Sequence, residues 1–411
     1  MELTHTVSPQ ELQHPINLSS RHFVDNKFAY YHWLREEAPV YKGKISVLNV
    51  YFVSRYDDCV SLLKDPRFAR KRETAIGGED WISKVTPKSV KLLLSGMINQ
   101  DEPEHRRLRT LVHKAFTPRA LKKLETRIES LTHELLDQHD THTPFDLKQE
   151  YALPIPVTMI SEMMGVGDDD IHTFQEGVSA LVRGADGWGV IPLMLWQLPK
   201  LTKLLRRLVV EKRQNPSDDI LSHLVHAEEN GDQLNDDELV TMAFVLITAG
   251  YETTVHLISN AVVTLLQHPE QLAKLQANSD LMPSAIEEIM RFAGSVHGTE
   301  MNYASEDITW HGVTIPRGAA TIPLLGAANR DPNIFDNPDV FDITRSPNKH
   351  LGFGQGIHYC LGAPLARIET QIALRTLFER FPDVHLTDPD ALTFSTTPAF
   401  HSYEQVPIIL R

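Results

Sequence analysis

Ten consecutive residues constrain this chain more than any other feature: Phe353-Gly354-Gln355-Gly356-Ile357-His358-Tyr359-Cys360-Leu361-Gly362. They hold one of only two cysteines in 411 residues. The glycines at 354, 356 and 362 let the backbone turn tightly and approach a flat ligand closely. Backbone N–H groups in such a loop can point at the sulfur, which favours thiolate over thiol. A thiolate is the proximal ligand that pushes electron density onto haem iron and favours O–O cleavage. The plainer reading is a structural loop around a small buried cysteine. Haem is the stronger expectation, because the pattern specifies six positions at once.

Composition restricts the remaining choices. With 42% hydrophobic and 23% charged residues the chain is ordinary globular material, long enough to bury a cofactor. Its net charge of −14, with no long basic run, argues against nucleic acid as a partner. Two cysteines, Cys59 and Cys360, make no disulfide framework and suit a reducing cytoplasm. The polar N-terminus, with Pro9 and Pro15, has no signal-peptide core, and no run reaches the ~18 apolar residues of a membrane span.

Along the chain, Val47 to Ser54 is rich in β-branched and aromatic residues and predicts a strand, with a helix from Tyr56 through Leu63 that encloses Cys59. Arg70 to Met97 reads as a long irregular connection with one short helix. Asp101-Glu102-Pro103-Glu104-His105 opens a helix whose acids and proline suit its positive end. His105 and Arg109, four apart, share one face of it, and Arg106, Arg107, Lys114, Lys122 and Lys123 make the segment basic. Periodicity predicts helices over Leu121–Gln138, Pro156–Met164, Asp168–Val182, Leu201–Lys212 and Asp218–Glu229, with a turn at Asn230-Gly231-Asp232. The segment Trp188 to Trp196 is the most apolar connection, suited to a buried segment, an oligomer contact or a lid.

Leu239 to Leu266 is apolar on all sides and predicts a buried helix. At its centre, Ala249-Gly250-Tyr251-Glu252-Thr253-Thr254 is a poor helix interior, which points to a kink. Either the glycine is merely tolerated and a threonine bonds its own backbone, or the stretch makes a groove for dioxygen with a proton relay. Farther on, Glu288 and Arg291 stand at i and i+3, ordinarily a surface pair of little value. The helix that begins after Gly362 places Cys360 just before a helix N-terminus, whose dipole favours an anion.

Together these stretches resemble the cytochrome P450 superfamily, the haem-thiolate monooxygenases, over roughly residues 25 to 411. F-G-x-G-x-H-x-C-x-G matches its haem loop, H-x-x-x-R at His105 and Arg109 its propionate donors, and A-G-x-[DE]-T-[ST] its oxygen-activating helix. E-x-x-R at Glu288 and Arg291, with the run Asp339 to Arg345, matches its structural triad. The resemblance implies haem b ligated by Cys360, with Phe353, Gly362, Ala249 and Gly250 against it and His105, Arg109 and His358 on its propionates. It implies that Thr253 hydrogen-bonds dioxygen, that Glu252 carries protons, and that Arg345 joins Glu288 and Arg291 behind the cysteine loop. It also places substrate contacts within 70–97 and a mobile entrance loop at 188–196. Three positions depart from it: Ser295 where proline is usual, Asn302 where an arginine is usual, and Ser402 where glycine is usual. By the resemblance, Ser295 to Asn302 is an extended segment beside the haem, with Val296, Gly298, Glu300 and Asn302 on one face and His297 and Thr299 on the other. Asn302 then costs one propionate a charged donor.

The expectation is therefore a mainly α-helical fold with small β-sheets, residues 1–24 forming an N-terminal extension and 25–411 the catalytic domain. The implied reaction inserts one oxygen atom of O2 into a small, mostly apolar substrate, with Val245, Leu246, Ala249, Val296 and Thr397 as pocket walls. Electrons come from a separate ferredoxin or flavodoxin docking on the basic patch around Arg106, Lys114 and Lys123. The rivals are a peroxygenase or isomerase on the same fold, against which the Glu252-Thr253 pair argues, and a haem sensor or carrier, which has no need of a proton relay.

Overall fold

The structure, a computed structural model, describes residues 11–78, 95–116, 118–183, 196–398 and 400–411. Two compact units emerge, the first built from residues 1–78, 132–152 and 256–411 and the second from 79–131 and 153–255.

The first unit is built on a five-stranded sheet. Strands β1 (Val40–Ile45) and β2 (Leu48–Val53) form an antiparallel hairpin, and β5 (Ala320–Pro323) runs parallel to β2 with Thr321 opposite Tyr51. Strand β4 (Asn302–Ala304) pairs β5, and β3 (Phe68–Ala69) closes the order β1-β2-β5-β4-β3. Alternate residues of β2 serve different cores. Val50 and Phe52 pack with Tyr30, Tyr31, Leu34 and Ile322, whereas Tyr51 and Val53 pack with Cys59, Leu62 and Leu351. A strand buried on both faces is apolar throughout rather than alternating. Leu12, Ile16 and Leu18, from the expected N-terminal extension, also lie in the first of these clusters. The strand predicted over 47–54 and the helix that follows are observed, the helix as Tyr56–Lys64.

The second unit is helical. The helices expected over 121–138, 156–164, 168–182 and 201–212 are observed as Pro118–Leu136, which runs on into the first unit, Pro154–Met163, Asp168–Arg183 and Leu198–Gln214. One expectation fails. The helix predicted over 218–229 stops at Val225, and Glu228–Glu229 pairs Asp232–Gln233 in a two-stranded hairpin. Asn230 and Gly231 both have positive φ, 53° and 84°. An Asn-Gly pair in that conformation matches the twist of a hairpin, and the flanking residues follow it.

The helix Asp236–Gln267 belongs to the second unit up to Val255 and to the first from His256. Its start is fixed locally: Asn235 Oδ1 accepts from the Glu238 N–H, and Glu238 Oε2 accepts from the Asn235 N–H. It is apolar and long enough to cross a membrane by length and composition, yet 61% of its most apolar window is buried inside the protein. That is the pattern of a core helix.

Candidate active site

In the first unit the glycine-rich loop is a tight, backbone-bonded turn. The Cys360 N–H donates to the Phe353 carbonyl (2.9 Å), Gly354 N to Leu351 O (2.8 Å) and Tyr359 N to Gly356 O (3.2 Å). Gly356 has φ 73°, and a Cβ there would run into the Leu63 carbonyl oxygen. Only glycine satisfies both demands. Behind the loop, Ala363–Arg380 is a helix with Gly362 as its N-cap and Pro364 in its first turn. The cysteine sulfur therefore stands near the positive end of an 18-residue helix.

The two cysteines differ sharply. Cys59 is fully buried, its thiol donates to the Val53 carbonyl (3.2 Å), and burial pushes it well above the usual thiol range. It is held as a protonated, inert thiol. Cys360 is partly accessible. Space also lies open over its loop, since a Cβ at Gly354 or Gly362 would meet nothing within 4 Å. An accessible soft donor at a helix N-terminus, backed by glycines that leave room for a flat ring system, fits a thiolate-ligated haem.

The triad behind the loop forms as expected. Glu288 and Arg291 are fully buried and bidentate, at 2.7 and 2.8 Å. Arg345 Nε reaches both Glu288 oxygens at 3.1–3.2 Å, and the Asp342 N–H and Asn348 Nδ2 complete the set at 3.0 Å. Arg291 spends its other hydrogens on the Asn329, Pro338 and Val340 carbonyls. A buried charge pair is tolerable only when every lone pair and proton is used in this way.

A second brace escaped the sequence reading. Arg367 lies over the Phe353 ring (4.3 Å to its centre) and donates to Glu287 at 2.6 and 2.9 Å. The other partner of Glu287 is His350 Nε2 (2.9 Å), while His350 Nδ1 accepts from the Gly352 N–H (3.0 Å). Burial opposes the Glu287 charge, but the hydrogen bonds from Arg367 and His350 prevail and hold its carboxyl down at about 2. These three residues are 63 and 80 positions apart along the chain, so no periodicity could have linked them.

In the second unit, helical assignment runs unbroken through Gly250, and Thr253 Oγ1 donates to the Ala249 carbonyl (2.6 Å). The predicted distortion is accordingly a side-chain bond within a continuous helix, not a break in it. Exposure marks the stretch out instead. Buried residues flank it, yet Thr248 and Ala249 are exposed and Val245, Leu246, Gly250, Glu252 and Thr253 are half-buried. An apolar helix with one open face, carrying an acid and two hydroxyls, has a reason to keep it open. His105 and Arg109 share the helix Glu104–His113, His105 buried and Arg109 half-buried.

The segment from Ser295 to Asn302 corrects the sequence reading. It is not one extended strand: after a bridge between Val296 and Phe400 the chain bends, and β4 begins only at Asn302. Val296, Gly298, Glu300 and Asn302 therefore do not share a face. Glu300 is exposed, whereas Asn302 is buried with its Nδ2 on the Glu300 carbonyl (3.2 Å). The same carbonyl accepts from Arg70 Nη1 (2.7 Å). Residue 69 pairs residue 303, so Arg70 brings a guanidinium to the spot where the sequence reading found a charge missing.

The basic surface is less basic than its composition suggests. Arg106 pairs with Glu102 (2.9 Å), Lys123 with Asp218 (3.3 Å) and Lys114 with Glu229, while Arg107 is shared among Glu104, Asp232 and Glu238. The apolar connection at 188–195 and most of the expected substrate-contact region, 79–94, lie outside the described residues.

Comparison with known proteins agrees with this geometry. The family described as cytochrome P450 matches residues 9–399. The polyketide biosynthesis cytochrome P450 PksS of Bacillus subtilis (strain 168) is 37% identical over 395 residues, 95% of this chain and 97% of the relative. Its solved structure superposes with a TM-score of 0.88 at 36% identity, covering 96% of this chain and 99% of that one. The structure of P450BioI in complex with a hexadec-9Z-enoic acid ligated acyl carrier protein matches with a TM-score of 0.86 at 36% identity, covering 95% and 99%.

Proposed function

Because the chain belongs to the cytochrome P450 family of haem-thiolate oxidoreductases, we propose that Cys360 is the axial ligand of its haem and that the enzyme hydroxylates or epoxidises a small, mostly apolar substrate. The balance is R–H + O2 + 2 electrons + 2 protons giving R–OH and water. The observation that carries this reading is the contrast between the two cysteines, one sealed as a thiol and one accessible at a helix start.

When bound, the haem supplies the activation of dioxygen. The chain supplies position and protons. His105, Arg109 and His358 are the proposed donors to the haem carboxylates, with Arg70 as a further cation near Asn302. The Thr253 hydroxyl, whose hydrogen is on the Ala249 carbonyl, leaves its oxygen lone pairs to accept. To donate to another acceptor the hydroxyl turns about its Cβ–Oγ1 bond and gives up the Ala249 carbonyl. The half-buried Glu252 beside it is the proposed proton carrier. Val245, Leu246, Ala249, Val296 and Thr397 are the proposed walls, apolar except for Thr397. The acyl chain in the P450BioI complex is consistent with an apolar substrate.

A ferredoxin or flavodoxin remains the proposed electron donor. The acids beside Arg106, Lys114 and Lys123 reduce the attraction that patch can exert, so docking there requires exchange of salt-bridge partners. The deciding experiment is the carbon monoxide difference spectrum of the reduced protein. Cys360→Ser should abolish the thiolate-type Soret band and Cys59→Ser should leave it. The reverse pattern would overturn the assignment.

A further inference from the structure

The described residues contain a buried titratable cluster that the reaction does not use. Lys27 is 3% exposed, and its ammonium has no carboxylate as hydrogen-bond partner among the described residues. Its Nζ instead lies 3.2 Å from His401 Nδ1 and 4.6 Å from the centre of the Phe394 ring. His401 stacks on His297, ring centres 4.6 Å apart and 16° from parallel. His297 Nδ1 in turn meets the Tyr31 hydroxyl at 3.2 Å. Its ring cannot retreat, because it lies against the backbone of Gly326, where a Cβ would collide with it.

Both histidines sit inside segments proposed as pocket walls. The His401 N–H donates to the Ser295 carbonyl (2.8 Å), and its own carbonyl accepts from Asn260 Nδ2 (2.7 Å). Phe400 bridges Val296 and also donates its N–H to the Thr397 carbonyl (3.3 Å). A change at His401 therefore reaches Val296 through Ser295 and Phe400, and Thr397 through the Phe400 N–H.

We propose that Lys27 is a positioning residue whose protonation state sets the arrangement of His401 and His297, and through them of the pocket walls at Val296 and Thr397. This rests on the reading of Val296 and Thr397 as walls. The logic lies in the hydrogen-bond inventory. A charged ammonium can only donate, so it holds His401 with Nδ1 bare and its proton on Nε2. A neutral amine can also accept, which admits the other tautomer.

The surroundings make the switch accessible near neutrality. Burial is the main influence on Lys27 and brings it down to about 7, with Asp25 opposing and Arg21 assisting. Asp25 is itself engaged by Arg21 (2.8 Å). Facing the histidines are Lys27, Arg330, Tyr31 and, on His401, His256. Burial, reinforced by these cations, pushes both imidazoles well below their usual range, so they stay neutral where Lys27 titrates. Arg330 is held between the Phe28 and Phe292 rings and bonded to Asp339, so its charge stays in place.

The test is the infrared stretch of carbon monoxide bound to the reduced holoenzyme, recorded from pH 6 to 9. The wild type should shift between two bands with a midpoint near pH 7. Lys27→Met, permanently neutral, should show the high-pH band throughout, and Lys27→Arg, permanently charged, the low-pH band throughout. A pH-independent wild-type stretch, or an unchanged midpoint in Lys27→Met, overturns the proposal while the thiolate-type Soret band stays intact. Loss of that Soret band in the wild type, or a Val296→Phe variant that leaves the stretch unmoved, overturns the site reading and this proposal with it.

Discussion

At the scale of single residues, environment rather than identity separates the two cysteines and the two threonines. Cys59 and Cys360 are the same residue type, but one is sealed under β2 and the other stands at a helix start. Thr253 and Thr254 are neighbours on one helix, yet Thr254 is buried while Thr253 lies on the open face with its hydroxyl on Ala249. Thr253→Ala removes that hydroxyl without disturbing packing. Haem content and substrate affinity should persist, while product formed per NAD(P)H consumed should fall by roughly tenfold or more, the balance appearing as peroxide or water. Unchanged coupling would remove Thr253 from the relay. The motif was fully legible in the sequence. The bond from its hydroxyl to the Ala249 carbonyl was only one of two readings, because a helix interior admits either.

At the scale of elements, the cysteine loop is held at Phe353 and Gly352 by the Glu287–His350–Arg367 brace, and the Glu288–Arg291–Arg345 triad reaches its approach at Leu351 through Asn329. The loop also presses on the helix Tyr56–Lys64 through Gly356. Gly356→Ala should be costly on two counts: a positive φ that disfavours a side chain by about 1–2 kcal/mol, and a collision with the Leu63 carbonyl. The expected readout is a lower melting temperature and partial loss of the thiolate-type carbon monoxide band. A variant with the wild-type melting temperature and spectrum would contradict the placement of the loop. The triad was legible because its arginine and acid follow a recognisable spacing. The brace was not, since its members gain meaning only when three distant segments meet. The bend after Val296 was missed for a related reason. Period-two reasoning assumes an unbroken ladder, and here the partner strand supplies only one bridge.

At the scale of the whole molecule, pH should act on stability through two groups in separate windows, and stability rises with pH in both. The Glu287 carboxyl is lowered from 4.5 to about 2. Its stabilisation is therefore fully present above pH 4.5 and lost as pH falls toward 2. Lys27 is lowered from 10.5 to about 7. Between those values the unfolded chain binds the extra proton, so stability rises with pH across that window. Glu287→Gln should flatten the acid limb of a melting-temperature profile. Lys27→Met should raise the melting temperature at pH 6 more than at pH 10. An equal gain at both values would mean that Lys27 is not titrating in the folded state.

The sequence by itself determined the family, the cysteine loop, the His105 and Arg109 pair on one helix, the buried helix with its polar centre and the acid–arginine triad. Each of these is a local pattern in which spacing along the chain equals spacing on one helix or one loop. Only the tertiary structure decided what distant residues do when brought together. It set Arg70 beside Asn302, turned Glu300 outward, bound Glu287 to His350 and Arg367, and buried Lys27 against two histidines more than 260 positions away. The physical reason is that charge, burial and hydrogen bonding depend on neighbours in space. For a lysine on an N-terminal helix, nothing in the sequence indicates that its ammonium will lie in the core against a histidine rather than a carboxylate.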